Sequence, residues 1–80
     1  MLPTPEDIRQ YIEKGMACKR VEVTGDGAHF EAVIVSDAFE GKRLIARHQL
    51  VYQALGDRMK DEIHALSMKT LTPQEDGTNT

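Results

Sequence analysis

The stretch that decides the fold reads VIVSDAFEGKRLIARHQLVYQAL at residues 33–55 and IHALSMKTL at residues 63–71. An apolar run typical of a buried strand stops at Ser36, and a turn follows it. From Lys42 the spacing of apolar residues predicts a long basic helix that ends near residue 55. His64 then opens a last strand. If the chain has a chemical site, this stretch supplies most of it.

The amino-terminal residues predict a single helix. Thr4 can cap a helix, and Pro5 suits the first helical position. Ile8 and Ile12 then recur at helical spacing, which gives one apolar stripe. Gly15 is a candidate for the residue that ends the helix. We expect this helix to be structural.

A β-hairpin is predicted next. Residues 20–24 alternate polar and apolar side chains, as a half-buried strand does. The glycines of Gly25-Asp26-Gly27 favour a turn, and residues 29–36 form the second strand. Because residues 32–35 are all apolar, we expect this second strand to lie at the centre of the sheet.

The predicted order of elements is α-β-β-α(α)-β. It indicates a small single-domain α+β fold, with a three-stranded sheet covered by helices on one face. This order matches the type II KH-like topology. We expect the domain to span residues 1–72, because Pro73 stops the last strand. Residues 73–80 are polar and are predicted to form a flexible tail.

Composition limits the function classes. Eighty residues make one small domain, and a single cysteine excludes an internal disulfide framework and suits a reducing compartment. The sequence shows neither a leader nor a run long enough to span a membrane, so we expect a soluble cytoplasmic protein. We find no nucleophile–base pair, phosphate-binding loop or dinucleotide fingerprint, and therefore expect no enzyme.

Positive charge is concentrated in one segment. Residues 42–60 carry five basic residues and one acidic residue, whereas the chain as a whole has a net charge of −3. Arg43, Arg47 and Arg58 would share one face of a straight helix, close to Lys42. This stripe is open to three interpretations: a solvated helix face, a surface for an acidic partner, or a contact to nucleic-acid phosphate.

A second face of the same helix is apolar, and we predict that it packs against the core. His48 lies in the middle of this face, so we interpret it as a core histidine. Tyr52 is likewise interpreted as a packing residue. The predicted members of the face are Leu44, Ile45, His48, Val51, Tyr52, Leu55 and Met59.

Five segments of the chain resemble the BolA family. They are GDGAHF (25–30), VSDAFEGK (35–42), RHQLVY (47–52), IHAL (63–66) and KTLTP (69–73). The segments occur in the family's order, and the resemblance extends over nearly the whole chain. The short GDGAHF turn is most similar to the IbaG-like (YrbA) branch, because other members have a longer loop there.

The resemblance implies a partner of monothiol glutaredoxins that shares a bridging [2Fe–2S] cluster, in iron–sulfur trafficking or in sensing of iron or stress. It implies that His64, in the His-Ala-Leu motif, is a cluster ligand. The family takes its second ligand from the loop between the first two strands, where this chain offers only His29. Cys18 would replace His29 only if it packs beside His64, and a cluster with one ligand from this chain is the remaining alternative.

Two positions depart from the family's pattern. The family's Cys or His lies several residues before the loop's Phe, whereas His29 immediately precedes Phe30. A Trp that often follows the Thr-Pro pair is absent, since Gln74 and Glu75 stand there. We therefore expect the family's terminal helix to be lost.

The ligand chemistry fits this interpretation. Two histidines can hold one iron of a [2Fe–2S] centre, as in Rieske sites. A partner thiolate and a glutathione thiolate would hold the other iron. With Cys18 as its single cysteine the chain cannot complete the cluster alone, so we expect no cofactor in the isolated chain. His64 has a second interpretation, because period-2 counting places it on the same strand face as Leu66 and Met68, which is typical of a core histidine.

The alternative function is a DNA-binding transcriptional regulator that uses the basic helix at 42–60. The resemblance also implies this function, since some family members are described as such regulators. The net acidity of the chain and the lack of a Gly-x-x-Gly loop favour the adaptor. The sequence leaves a weak homodimer open.

Overall fold

A reciprocal cap begins the first helix, α1 (Pro5–Gly15), in this computed structural model, which describes residues 3–61, 63 and 65–77. The Thr4 amide donates to Asp7 Oδ2 at 2.9 Å, and the Asp7 amide donates to Thr4 Oγ1 at 3.1 Å. The helix buries its predicted apolar stripe. Gly15 is the last residue of the helix, as predicted, but the C-cap is the next residue, Met16.

Three strands form one mixed sheet in the order β1-β2-β3. Strand β1 (Arg20–Gly25) pairs antiparallel with β2 (His29–Val35), and β3 (Ala65–Leu71) pairs parallel with β2. The central position of β2 confirms the prediction from its apolar run. A parallel β2–β3 pair needs a long crossover, and the helices between the two strands supply it.

The chain leaves β2 through a short 3₁₀ turn (Asp37–Phe39), which Ser36 caps. Helix α2 (Leu44–Leu55) and the short α3 (Arg58–Asp61) follow. Helix α2 begins two residues later than predicted, because Gly41 adopts φ +73° and Arg43 has the extended backbone of an N-cap. Arg43 therefore lies just before the first residue of α2 and is not part of a stripe along the helix.

The helices cover one face of the sheet, as predicted. Phe30, Ala32 and Ile34 alternate along β2 on the covered face and are buried. Helices α1 and α2 pack against them through fully buried aliphatic residues, namely Ile8, Ile12, Val51 and Leu55. The opposite face carries the exposed residues of the same strand, and we call it the open face.

Part of the predicted apolar face of α2 is not buried. Val51 and Leu55 lie in the core, but Leu44, Ile45 and Tyr52 are 61%, 75% and 42% exposed. The prediction that these three pack is wrong, because α2 meets the rest of the domain along a narrower strip than its apolar face. His48 is half-buried at the edge of that strip, with Nε2 buried and without a hydrogen-bond partner.

A helix follows the sheet after all. Residues Pro73–Asp76 form α4, whose cap repeats that of α1: the Thr72 amide donates to Glu75 Oε1 at 2.8 Å and the Glu75 amide donates to Thr72 Oγ1 at 3.2 Å. The expectation that the terminal helix is lost is therefore wrong. The missing Trp does not prevent it, because the capping box supplies the local stabilisation. Residues 78–80 of the predicted tail lie outside the described residues.

Within the described ranges, no helix has both the length and the apolar character that a membrane crossing requires.

Candidate functional site

The turn between β1 and β2 holds His29 in place. Asp26 Oδ1 accepts hydrogen bonds from the amides of Ala28 and His29, both at 2.9 Å, and the Asp26 amide donates to the His29 carbonyl at 3.2 Å. The His29 and Ala28 amides, in that order of importance, lower the pKa of the Asp26 carboxyl. Asp26 therefore stays ionised and fixes the backbone of His29.

His29 is exposed at the edge of an open cleft of about 470 Å³. Thr24 and Asp26 line the cleft on one side of His29, and Ala65 and Ser67 of β3 line it on the other. On β2 the alternation of buried and exposed residues sets His29 and Glu31 on the open face. The imidazole is thus presented where a second molecule can reach it.

The strand register pairs His29 with the chain neighbour of the other predicted ligand. His29 pairs with Ala65 in the parallel ladder, and Ala65 directly follows His64 in the chain. His64 itself lies outside the described residues, so its predicted role stays a prediction.

Cys18 lies at the opposite end of the sheet. The amide of Lys19 donates to the Val35 carbonyl at 2.7 Å, and Val35 is six residues from His29 along β2. Six strand residues span roughly 20 Å, which is too far for Cys18 and His29 to hold the same metal centre. Burial, followed by the nearby Glu13 carboxylate, raises the pKa of the Cys18 thiol to about 11, so the thiol is protonated and inert.

The four predicted basic residues do not form one surface. Arg47 is turned inward, its side chain only 13% exposed, and binds Glu75 and the carbonyls of Thr70 and Lys42. Arg58 stacks on Tyr11, with the guanidinium carbon 4.0 Å from the ring centroid. Lys42 and Arg43 remain as exposed cations at the start of α2.

The part of the chain that the structure describes contains no group of three or more His, Cys, Asp or Glu side chains that could hold a metal ion. His29 alone therefore does not make a metal site, although its exposed imidazole suits one position of a shared site. A metal site at His29 therefore needs donors from beyond the described residues.

Two functional features escaped the sequence analysis. Asp26 orients His29, and the Asp-Gly-x-His spacing is a signal for this role, because Asp side chains bind amides two or three residues ahead. Glu75 engages Arg47, and the Thr-Pro-x-Glu capping signature was a signal for its helix but not for its distant partner.

The chain matches a family model described as BolA-like protein over residues 10–75. It is 34% identical over 70 residues to the acid stress protein IbaG of Escherichia coli, a match that covers 86% of this chain and 83% of that protein. It is also 47% identical over 51 residues to the DNA-binding transcriptional regulator BolA of Vibrio cholerae, covering 64% of this chain and 48% of that protein.

A third relative is much longer than this chain. The SufE-like protein 1 of Arabidopsis thaliana, chloroplastic/mitochondrial, is 46% identical over 71 residues, which are 88% of this chain but 19% of that protein. This chain therefore spans about a fifth of one of these relatives and about half of another, although it covers most of IbaG.

Solved structures agree in fold. A bolA protein homologue from Coxiella burnetii superposes with a TM-score of 0.88 at 51% identity, over 95% of this chain and 99% of that chain. Yeast Fra2 superposes with a TM-score of 0.80 at 32% identity, over 99% of this chain and 89% of that chain. From the family match, these relatives and the shared fold, we conclude that the chain belongs to the BolA-like protein family.

Proposed function

We propose that this chain is a non-catalytic adaptor that binds a monothiol glutaredoxin and shares a bridging [2Fe–2S] cluster with it. His64 and His29 would be the ligands from this chain, and the cytoplasm is the compartment we propose. The observation that carries the proposal is the position of His29. It is exposed on a cleft, fixed by Asp26 and paired in register with the residue that follows His64.

Chain geometry supports a shared site for the two histidines. Neighbouring strands lie about 4.8 Å apart, and consecutive Cα atoms are about 3.8 Å apart. Because Ala65 pairs with His29, chain connectivity alone limits the Cα of the residue bonded before Ala65 to about 9 Å from the His29 Cα. Two imidazoles at that separation can reach one iron.

A ligand role for His64 requires a particular orientation of its ring. Leu66 and Met68 pack against the core, whereas Ala65 pairs with His29 and lines the same cleft. Strict alternation would send a residue at position 64 toward the core side. The cluster therefore requires that His64 turn its ring toward His29, and a core histidine is the outcome that would exclude the site.

The chemistry of the donor set explains the need for a partner. Neutral imidazoles suit iron, and two of them on one iron leave the second iron to thiolates. Cys18 is too far away and too weakly acidic to supply one. A glutaredoxin cysteine and a glutathione thiolate would complete the cluster. The cluster would therefore form only in the heterodimer.

The test is anaerobic reconstitution with a monothiol glutaredoxin and glutathione, followed by visible absorption and circular dichroism. We expect a heterodimer spectrum that differs from that of the glutaredoxin homodimer. His64→Ala should abolish it, and His29→Ala should abolish or shift it. Cys18→Ser is the matched control and should leave it unchanged. A glutaredoxin spectrum that is unaffected by the wild-type chain would overturn the proposal.

A second function, DNA binding, is favoured by one observation: Lys42 and Arg43 are exposed side by side at the start of α2. Relatives from Vibrio cholerae and Escherichia coli are named DNA-binding transcriptional regulators. With Arg47 bound to Glu75, two free cations predict a shallow salt dependence, a slope of about −2 in log affinity against log salt. A steep slope of about −5 would instead show that a larger basic surface binds DNA.

A further inference from the structure

We propose that the exposed flank of α2, formed by Leu44, Ile45 and Tyr52, is a docking surface for a protein segment with an apolar stripe edged by carboxylates. We call it the α2 flank. It goes beyond the proposed function because it lies away from the His29 cleft and needs no cluster.

The three side chains form one patch. Ile45 and Tyr52 are seven residues apart, which places them within about 20° of each other around the helix and about 10 Å apart along its axis. Leu44, the chain neighbour of Ile45, lies about 100° around the helix, in line with Val51, and borders the patch at the helix start, where it is exposed. Among the described residues, all the exposed large hydrophobic side chains lie here. Concentration of exposed apolar surface on one flank of one helix is typical of an interaction site rather than of scattered surface residues.

The fold does not use this flank. Helix α2 packs through Val51 and Leu55, and those residues are fully buried without help from Leu44 or Ile45. Exposure of 61% and 75% means that these two side chains gain little from folding. Their apolar character is therefore available for a partner.

Charge decides what kind of partner fits. Lys42 and Arg43 directly precede the flank, are exposed, and form no ion pair with any residue in the described ranges. Glu40, two residues upstream, leaves the local charge positive. In contrast, Arg47 is neutralised by Glu75. Two unpaired cations beside an apolar strip are complementary to a helix or loop that carries Leu-like residues and Asp or Glu at its edge.

Other occupants fit less well. Three side chains offer much less than the roughly 800 Å² per partner that a stable dimer buries, so a second copy of this chain is not the occupant. Nucleic acid would use the two cations but would leave the apolar side chains without a partner. A short acidic, amphipathic protein segment uses both features.

The α2 flank and the His29 cleft can be occupied together. Arg47 Nη1 donates to the Thr70 carbonyl at 3.0 Å, which places the start of α2 near the carboxyl end of β3. His29 pairs with Ala65 at the opposite end of that strand. The five residue steps from Ala65 to Thr70 span roughly 16 Å. A partner on α2 would therefore not block a molecule bound at His29.

The experiment uses two synthetic amphipathic peptides of the same length. Both carry one stripe of Leu, which is flanked by Glu in the first peptide and by Lys in the second. We would titrate each into the ¹⁵N-labelled chain and follow amide shifts, with affinity from fluorescence anisotropy. We expect the Glu peptide to bind at least tenfold more tightly than the Lys peptide, with the largest shifts at Leu44, Ile45 and Tyr52.

Variants then separate the contributions. Leu44→Ser with Ile45→Ser should weaken binding of the Glu peptide at least tenfold. Lys42→Ala with Arg43→Ala should remove most of its salt dependence. Gln53→Ser changes an exposed polar position of the same helix that lies about 80° or more around the axis from each of the three flank residues, and it is the matched control, with no expected effect. His29→Ala should bind the peptide normally, which separates this proposal from the cluster proposal.

Three results would overturn the proposal. Equal binding of the Glu and Lys peptides would show that the Leu stripe of either peptide adsorbs to the chain irrespective of charge. Shifts that map to the His29 cleft would place the interaction elsewhere. A short DNA duplex that shifts the same α2 residues, where the Glu peptide does not, would assign the surface to nucleic acid. The wild-type shift map decides each case even if a serine variant fails to fold.

Discussion

Arg47 and Glu75 connect α2 to α4 through two parallel hydrogen bonds, Nη1 to Oε1 at 2.7 Å and Nη2 to Oε2 at 3.2 Å. The same guanidinium group donates to the Thr70 carbonyl at 3.0 Å, and Nε donates to the Lys42 carbonyl at 2.8 Å. Arg47 thereby ties the crossover helix to the end of β3 and to the turn before α2. The geometry makes Arg47 a structural residue rather than a free cation.

Arg47→Ala should lower the free energy of unfolding by about 1–3 kcal/mol, because it removes charge-assisted hydrogen bonds to Glu75, to the Lys42 carbonyl and to the part-buried Thr70 carbonyl. Urea unfolding followed by far-UV circular dichroism measures the change. Arg43→Ala is the control and should stay within about 0.5 kcal/mol, because Arg43 is exposed and makes no side-chain cap bond. Equal stability of the two variants would contradict the structural role of Arg47.

Stability should fall in acid through Glu75. Its hydrogen bond from Arg47, followed by that from the Thr72 amide, lowers the pKa of the Glu75 carboxyl from 4.5 to about 2. A carboxyl group with a lowered folded-state pKa stabilises the fold above its unfolded pKa and loses that contribution as the pH falls through the folded pKa. We therefore expect the urea midpoint to decrease between pH 4.5 and pH 2.

Glu75→Gln tests the assignment. This variant should be less stable than wild type at pH 7, and its urea midpoint should depend less on pH between 4.5 and 2. Because Glu75 is half exposed, solvent screening limits the size of the effect. A wild-type and a variant curve that run parallel over this range would show that other carboxyl groups cause the acid sensitivity.

Local signals in the sequence predicted most of the fold. The Thr4-Pro5 start, the alternation in residues 20–24 and the turn at 25–27 each gave an element that the structure confirms. A similar signature, Thr-Pro-x-Glu in place of Thr-Pro-x-Asp, recurs at Thr72, where Pro73 fits a helix start as well as a strand stop. The helix α4 was predictable from local sequence, since its cap needs no distant residue.

Tertiary contacts account for what the sequence did not predict. Helical periodicity gives the angle of a side chain around an axis, but it does not say how far the helix stays in contact with the sheet. Leu44 shares the angle of the buried Val51 but is exposed at the helix start, whereas Ile45 lies about 120° around the axis from Val51, outside the narrow packing strip. Arg47 binds Glu75, which lies 28 residues away in the chain, and no pattern within α2 indicates this partner. His29 was predictable as a candidate ligand, whereas its fixation by Asp26 required the turn geometry.

The Cys18 thiol should react slowly. Its pKa of about 11, against an ordinary 9.0, leaves roughly a hundredfold less thiolate at pH 8. Higher basicity makes each thiolate about tenfold more nucleophilic, so the net rate of alkylation should be about tenfold below that of an unperturbed thiol. Iodoacetamide labelling followed by mass spectrometry measures it, with the chain in 8 M urea as reference. Equal rates in the folded and unfolded chain would show an exposed, reactive cysteine.

Gly15 should be required by the close approach of α1 to α2. A Cβ at this position would lie 2.6 Å from the Ala54 carbonyl oxygen and 2.7 Å from the Ala54 Cα. Helix propensity favours Ala by about 1 kcal/mol, but forcing two backbones apart costs about 1–3 kcal/mol, so Gly15→Ala should destabilise the chain. Ala54→Gly should rescue little, because the contacts with the backbone of residue 54 remain. Lys14→Ala in the same turn is the control, and a more stable Gly15→Ala variant would contradict the packing.

Substitution of Gly25 should change both the stability of the sheet and the position of His29. A Cβ at Gly25 would lie 2.6 Å from Phe30 Cδ1 and 2.9 Å from the Phe30 Cα, and Phe30 is a fully buried core residue. Gly25→Ala should therefore lower the free energy of unfolding by about 1–3 kcal/mol and displace the turn that fixes His29. Urea unfolding measures the first effect, and amide shifts of residues 26–30 measure the second.

Thr24→Ala, one residue earlier on β1, is exposed, so it should lower the free energy of unfolding less than Gly25→Ala does and should leave the turn at residues 25–27 in place. If His29 is a cluster ligand, Gly25→Ala should also alter the spectrum of the reconstituted heterodimer under conditions in which the chain remains folded, because the displaced turn moves the imidazole. A destabilised Gly25→Ala variant with an unchanged spectrum would separate the two roles. In that case Gly25 would be required for the packing of Phe30, and the cluster would not depend on the turn that holds His29.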